Sequence, residues 1–345
     1  MGSSENGTEA ERGEHMVSIK DVAALAGVSP ATVSRVMNDT AKVDPEKKAR
    51  VLQAIEESGF VPNEVARTLF RKSAKTIGLI VPSIRNPYFT ELAAYLDSEA
   101  MKRGYRPFLC NTGYDVEKEK AAIRMLTSMN ADAIIVVSCS EELRETVNNC
   151  PIPVVALDAI LNGENVEACI YCDYYMGGKL ATEHLLECGC ERIVCIQGPQ
   201  NHVSARARYQ GYRDVCAERG IRERIVECDY DFDKGIAMTE ELLERFPDVD
   251  GIIACNDIVA LSTYKVLFKK RIPVPEKIQL VGFDDIRFSA LSSPELTTIS
   301  QPIHEMAEKA VEVIVNQEKT EKAKREFVFA VKLVKRETTL RKTHL

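Results

Sequence analysis

From Ile77 onward the chain repeats one pattern: a short, nearly continuous apolar run, then an amphipathic stretch. The runs are IGLIVPS, YRPFLCNT, ADAIIVVS and PVVALD, then ACIYCD, RIVCIQG, RIVECD, GIIACND and IQLVGFDD. Between them, segments such as Pro87–Arg103 and Val116–Met129 carry apolar residues at helical spacing. A strand buried on both faces has no polar side to alternate with. This alternation therefore predicts an α/β fold of doubly wound parallel sheets with helices on both faces. Residues 77–345 are enough for two such lobes with a cleft between them. The expected division is 77–170 with 302–333 for one lobe and 171–301 with 334–345 for the other. LTTISQP and VFAVKLVKRETT are the expected segments that cross back between lobes.

The front of the chain is built differently. Residues 1–15 are Gly-, Ser- and Glu-rich without apolar periodicity, and are expected to be a disordered leader. They lack the apolar stretch of a secretion signal, so a cytoplasmic location is expected. Ser18-Ile19-Lys20-Asp21 has the form of a capping box, and Val22, Leu25 and Ala26 give the helix after it an apolar face. Gly27 stops that helix. Ser29 and Pro30 then supply an N-cap and a proline at the first helical position, opening a second short helix to about Met37 with Val33 and Val36 inward. Asp44-Pro45 repeats the signal for a third helix, with Val51, Leu52 and Ile55 apolar and a stop at Gly59. Two short helices joined by a glycine turn make a helix-turn-helix or any other small three-helix bundle; spacing alone does not choose.

Charge divides the same way. The 345 residues carry a formal net charge of −7, which by itself argues against nucleic acid. From Met16 to Thr76, however, there are ten basic and seven acidic residues, an excess of +3, while the leader carries −3. The acidic total thus describes the body, not the front.

Eleven cysteines include a CxxC at Cys169 and Cys172 and a CxC at Cys188 and Cys190. No second CxxC follows at zinc-ribbon spacing, and several of the others sit in apolar runs. They read as reduced thiols used as small apolar side chains, with no metal expected. No catalytic motif is present. Gly177-Gly178-Lys179 is no phosphate loop, because position 173 is Asp and Leu180 stands where Ser or Thr belongs. No enzyme activity and no cofactor are expected.

IKDVAALAGVSPATVSRVMN closely resembles the helix-turn-helix of the LacI/GalR family of bacterial transcription regulators, and FVPNEVARTL resembles that family's hinge. The resemblance runs on to about residue 340. It implies a helix-turn-helix domain over 16–61, a hinge and linker over 62–76, and an effector-binding and dimerisation core like the periplasmic sugar-binding proteins over 77–345. The second helix would enter the major groove of double-stranded operator DNA. Ser29, Pro30, Ala31, Thr32, Ser34, Arg35 and Asn38 would face the bases or backbone there, with Arg35 placed for a bidentate guanine contact. Asn63, Arg67 and Leu69 would belong to a hinge helix in the minor groove, Leu69 as the wedge that opens a base step.

Polar and aromatic residues collect at the C-terminal ends of the strands, where open α/β sheets bind ligands. They are Asn86, Tyr88, Phe89, Asp158, Arg208, Tyr230, Asn256, Asp284 and Gln301. By resemblance each matches a ligand-contact position of ribose-binding proteins and related repressors. The chemistry suits a neutral polyol: carboxylates accept hydroxyl hydrogens, an Arg donates to hydroxyl or ring oxygens, and aromatic faces cover C–H faces. FLCNT, GGKLA and the SARAR–GYR block resemble the ribose repressors most, although Ala159 stands where sugar-binding relatives have an Arg. The expected protein is a homodimeric, sugar-released repressor with a ribose-like effector and no membrane partner. A regulator governed by another sugar, a nucleoside, a corepressor or a phosphorylated carrier protein is the alternative, and a sugar receptor without regulation a distant one.

Overall fold

The computed structural model describes residues 17–38, 42–60, 73–138, 141–316 and 325–341. The chain divides into two compact units, Met1–Lys72 and Ser73–Leu345. The hinge residues Asn63, Arg67 and Leu69, and the leader, lie outside the described residues.

The first unit has three helices: α1 (Ile19–Ala26), α2 (Pro30–Asn38) and α3 (Pro45–Ser58). The Ser18 N–H donates to Asp21 Oδ2 at 2.8 Å, closing the first turn of α1. Gly27 ends α1 in the left-handed conformation (φ 61°), and the Val28 N–H reaches back to the Ala23 carbonyl at 3.0 Å. Asp44 caps α3 by accepting from the N–H groups of Glu46 and Lys47. Val22, Ala23, Ala26, Val33, Val36, Val51 and Ala54 form the core. Two expected core residues are not in it: Leu25 is 57% and Leu52 53% exposed. Each lies roughly 100° around its helix from the buried stripe, one residue's rotation, which places it beside the seam.

The second unit has two six-stranded sheets. Its strands are β1 (Thr76–Val81), β2 (Arg106–Asn111), β3 (Ala133–Val137), β4 (Val154–Leu157), β5 (Val166–Cys172), β6 (Ile193–Gln197), β7 (Ile225–Glu227), β8 (Gly251–Ile253), β9 (Gln279–Asp284), β10 (Thr297–Ser300), β11 (Arg325–Phe329) and β12 (Lys332–Val334). The first sheet runs β2-β1-β3-β4-β5-β11, all parallel, and the second β7-β6-β8-β9-β10-β12, parallel except for the last pair. Helices cover them: α4 (Pro87–Lys102), α5 (Val116–Ser128), α6 (Arg144–Asn148) and α11 (Ile303–Val315) on the first lobe, and α7 (Tyr174–Glu187), α8 (Val203–Arg219), α9 (Phe232–Arg245) and α10 (Asp257–Lys269) on the second.

The chain changes sheets three times: after Cys172, after Ser300 and between Phe329 and Lys332. The expected boundaries were 170, 301 and 333. The third differs because VFAVKLV is two strands, broken at Ala330–Val331, so 332–334 pair with β10 and not with the first lobe. In β5, Cys169 and Cys172 enter different hydrophobic clusters. Strand residues three apart face opposite sides of a sheet, so this CxxC cannot close on one metal ion. The ten described cysteines form no disulfide. Among the described residues, no helix is long and apolar enough to cross a membrane.

Candidate functional site

In each lobe the strand order reverses beside its first strand, and that switch point opens a crevice at the strands' C-terminal ends. The two crevices face each other. From the first lobe come Asn86, Tyr88 and Phe89 around the start of α4, Tyr114 after β2, Ser138 after β3 and Asp158 after β4. From the second come His202 after β6, Ser204 and Arg208 on α8, Tyr230 after β7, Asn256 after β8 and Asp284 at the end of β9. Together these twelve side chains leave only a narrow space between the lobes.

Eight of the nine residues expected in the cleft line it, and the ninth, Gln301, bonds to two of them. The Tyr88 hydroxyl donates to Gln301 Oε1 at 3.3 Å, and Gln301 Nε2 donates to Asp284 Oδ1 at 2.8 Å. Arg208 Nη2 lies 3.6 Å from the same Asp284 oxygen, while Nη1 donates to the Cys255 carbonyl at 2.8 Å. The guanidinium stacks over the Phe283 ring at 3.7 Å, which fixes its plane. Burial pushes the Asp284 carboxyl well above the usual carboxylate range, and the Arg208 charge opposes this only in part. Asn86 and Asn256 act as caps: their side chains accept from the N–H groups of Tyr88 at 3.1 Å and Val259 at 2.9 Å. That fixes which ends of them remain for a ligand.

Three buried polar atoms on cleft-lining residues have no partner among the described residues: Arg208 Nε, Tyr230 Oη and Asn256 Nδ2. Two are nitrogen donors, and an unmet buried donor costs roughly 1–3 kcal/mol. Both nitrogens are free to donate to an oxygen atom placed beside them. At its mouth the Tyr114 and His202 rings meet edge to face at 6.2 Å, and His202 lies 6.2 Å from the Tyr230 ring. Burial lowers the His202 pKa, which favours the neutral ring.

Sequence reading did not single out Tyr114, Ser138, His202 or Ser204 for the cleft, nor Tyr174 behind it. Tyr174, the first residue of α7, donates its hydroxyl to Asp158. Asp257, next to Asn256, was also passed over. It is fully buried and accepts from the Ile286 N–H at 3.0 Å and the Ser289 hydroxyl at 2.6 Å, holding the loop after β9.

In the first unit, Ser29 Oγ accepts from the Thr32 N–H at 3.2 Å, capping α2. Ser29, Pro30, Ala31 and Arg35 are exposed, and Thr32 and Ser34 half-buried. Val33 and Val36 turn inward, so these residues occupy the outer face of α2. The Asn38 side chain lies outside the described residues.

Residues 18–63 match the model of bacterial regulatory proteins of the lacI family, and residues 74–337 that of periplasmic binding proteins and the sugar-binding domain of the LacI family. The chain belongs to the LacI family. Among its LacI-family relatives, the ribose operon repressor of Halalkalibacterium halodurans is 38% identical over 94% of this chain and 97% of that repressor. A LacI-type regulator from Alkaliphilus metalliredigens, solved with D-xylulofuranose, is 34% identical with a TM-score of 0.72, covering 77% of this chain and 99% of that one. The lac repressor dimer bound to operator and the anti-inducer ONPF is 27% identical with a TM-score of 0.84, over 94% of this chain and 99% of that one. The chain is thus a LacI-family DNA-binding transcription repressor with a sugar-binding-type core, and not an enzyme.

Proposed function

We infer that the chain represses a sugar-utilisation operon, and that a small neutral sugar, ribose or a closely similar pentose, binds the interlobe cleft and releases it from DNA. The observation that carries this reading is the set of three buried polar atoms without a partner among the described residues, Arg208 Nε, Tyr230 Oη and Asn256 Nδ2, on side chains that line the cleft with Asp284. A polyol supplies acceptors for the donors and hydroxyl hydrogens for the acid. Asn86, Tyr88 and Phe89 would close the other wall. Two acids, Asp158 and Asp284, beside the one Arg that lines the cleft among the described residues, which already faces Asp284, disfavour a phosphorylated sugar. The ribose operon repressor and D-xylulofuranose likenesses point to the same ligand class.

On the DNA side, Ser29, Pro30, Ala31, Thr32, Ser34, Arg35 and Asn38 would read one half-site in the major groove. Asn63, Arg67 and Leu69 would act in the minor groove. A homodimer would then read a pseudo-palindromic operator, because protein two-fold symmetry is mirrored in the site. Residues 16–61, 62–76 and 77–345 serve as reader, hinge and core, in the cytoplasm.

Calorimetric titration of the purified chain with D-ribose, other pentoses, hexoses, their phosphates, and purine bases and nucleosides tests the effector. Saturable ribose or pentose binding, lost in Asn256→Ala, is the expected result. Tighter binding of a sugar phosphate or a purine would replace this reading.

A further inference from the structure

The cleft acid Asp284 stands on a backbone that needs holding. Asp284 (φ 118°) and Asp285 (φ 61°), the turn that leaves β9, both have positive φ, a strain that persists only where the surroundings enforce it. One side of the turn is held by the C-terminal segment: Arg336 Nη2 donates to Asp285 Oδ1 at 2.6 Å, and its Nη1 to the Leu296 carbonyl at 2.8 Å. The other side is held by Asp257, the first residue of α10. Its Oδ2 accepts from the Ile286 N–H at 3.0 Å and the Ser289 hydroxyl at 2.6 Å, and its Oδ1 from the Thr298 hydroxyl of β10 at 2.5 Å.

Asp257 is more than a helix cap. α10 already has one, since Asn256 accepts from the Val259 N–H at 2.9 Å, and these three Asp257 bonds all leave the helix, for Ile286, Ser289 and Thr298. The strand beneath is cut to fit it: a Cβ on Gly282 in β9 would lie 2.2 Å from Asp257 Oδ1, so the missing side chain is what lets the carboxyl lie against the sheet. Asp257 is fully buried and does not line the cleft, so it reaches a ligand only through what it holds. Burial raises its carboxyl above the ordinary carboxylate range, against the pull of the three donors. The position thus opposes charge, and what it uses is an acceptor oxygen facing the turn.

We propose that Asp257 is a positioning residue for the effector: by pinning Ile286 and Ser289 it sets the turn that aims the Asp284 carboxyl at the cleft, and it ties that turn to the strand end that carries Asn256. This rests on the reading of the cleft as a sugar site. An asymmetry follows. Ser289 and Thr298 each give a hydroxyl hydrogen to the same buried carboxyl, but only Ser289 lies on the turn side. A carboxyl that merely satisfies the core would be equally sensitive to the loss of either. One that aims Asp284 acts on the sugar through Ser289.

The test is calorimetric titration of D-ribose into the full chain. Asp257→Ala is expected to weaken binding about tenfold or more, and Asp257→Asn, which keeps an oxygen for the turn while the Thr298 hydroxyl rotates to accept from the amide, by less than about threefold. In an Asp284→Asn background, Asp257→Ala should cost less than about twofold more, because the group it aims is already changed. Ser289→Ala should weaken binding roughly threefold and Thr298→Val by less than about twofold; both keep Asp257 in place should Asp257→Ala not fold. Unchanged binding in Asp257→Ala, no rescue by Asp257→Asn, equal losses in the two backgrounds, or equal effects of Ser289→Ala and Thr298→Val overturns the proposal. Amide hydrogen exchange of the same proteins without sugar is the second arm. Asp257→Ala and Ser289→Ala should speed exchange over 284–291 and leave β6 and β8 unchanged, and unaltered exchange over 284–291 overturns the pinning. A wild type that binds no ribose counts against the effector reading alone, since the exchange arm needs no ligand.

Discussion

Arg208 does three things with one planar group: Nη1 holds the Cys255 carbonyl, Nη2 faces Asp284, and the plane lies on Phe283, leaving Nε for the cleft. A lysine keeps the charge but has neither the fork nor the flat face. Arg208→Lys should therefore weaken sugar binding at least tenfold in calorimetry while leaving operator affinity without sugar within about twofold by gel shift, an order-of-magnitude expectation from the loss of a charge-assisted bond. Asp284 and Asn256 were legible in the sequence because each is a polar residue at or just after a strand's C-terminal end, whereas Arg208, inside α8, was legible through the family resemblance of the SARAR–GYR block. Tyr174 and Ser138 were not. Nothing in a strand-and-loop pattern says that a tyrosine opening one lobe's helix reaches an aspartate sixteen positions earlier in the other lobe. His202 and Tyr114 come together only because two loops from separate sheets meet at the mouth.

At the level of elements, α7 and α8 pack backbone to backbone. A Cβ on Gly178 would lie 2.1 Å from the Arg208 carbonyl oxygen, and one on Gly211 2.2 Å from the Tyr175 carbonyl oxygen. Gly178→Ala must push the helices apart, and overpacking of this kind costs about 1–3 kcal/mol. A lowered urea midpoint, with sugar affinity falling as Arg208 shifts, is the expected outcome. Near the end of α7, His184 is buried and its Nε2 lies 2.9 Å from the Thr339 hydroxyl. Burial, with Lys335 and Arg341 adding to it, lowers its pKa to about 4. The unfolded chain, with an ordinary His pKa near ~6.5, then binds more protons than the folded one between those values. Stability must rise with pH across roughly 4 to 6.5 through this group, and be lost as pH falls. Urea midpoints of wild type and His184→Gln across that range should diverge toward acid, the variant having the flatter profile. All nine apolar runs became strands; seven have the plain signature of a buried parallel strand, whereas β2 and β7 are edge strands and β2 is largely exposed. The helical faces of the first unit were less legible: Leu25 and Leu52 have core-like chemistry but sit one residue's rotation off the stripe.

At the scale of the whole chain, the charge arithmetic separates two tasks. A reader with an excess of only +3 and a body of −7 cannot hold DNA by net charge. Operator affinity must come from placed contacts and from pairing two readers, so it should fall steeply both with salt and on dilution below the dimer's dissociation constant. Arg35→Ala separates the contact types: as a base contact, its loss should cost more on operator than on random DNA, whereas equal loss on both would make it a phosphate contact. The coupling between cleft and operator carries the strictest requirement. If sugar lowers operator affinity by some factor, saturating operator must lower sugar affinity by the same factor, because both are one free energy measured from two sides. Sugar titrations with and without a saturating operator duplex, and operator titrations with and without saturating sugar, should give equal ratios, of about 5- to 150-fold for ordinary couplings. Under the proposed minor-groove role of Leu69, Leu69→Ala should weaken operator binding and leave the sugar affinity of the DNA-free chain unchanged. A sugar affinity identical with and without operator would mean that the cleft does not govern release, however tightly it binds.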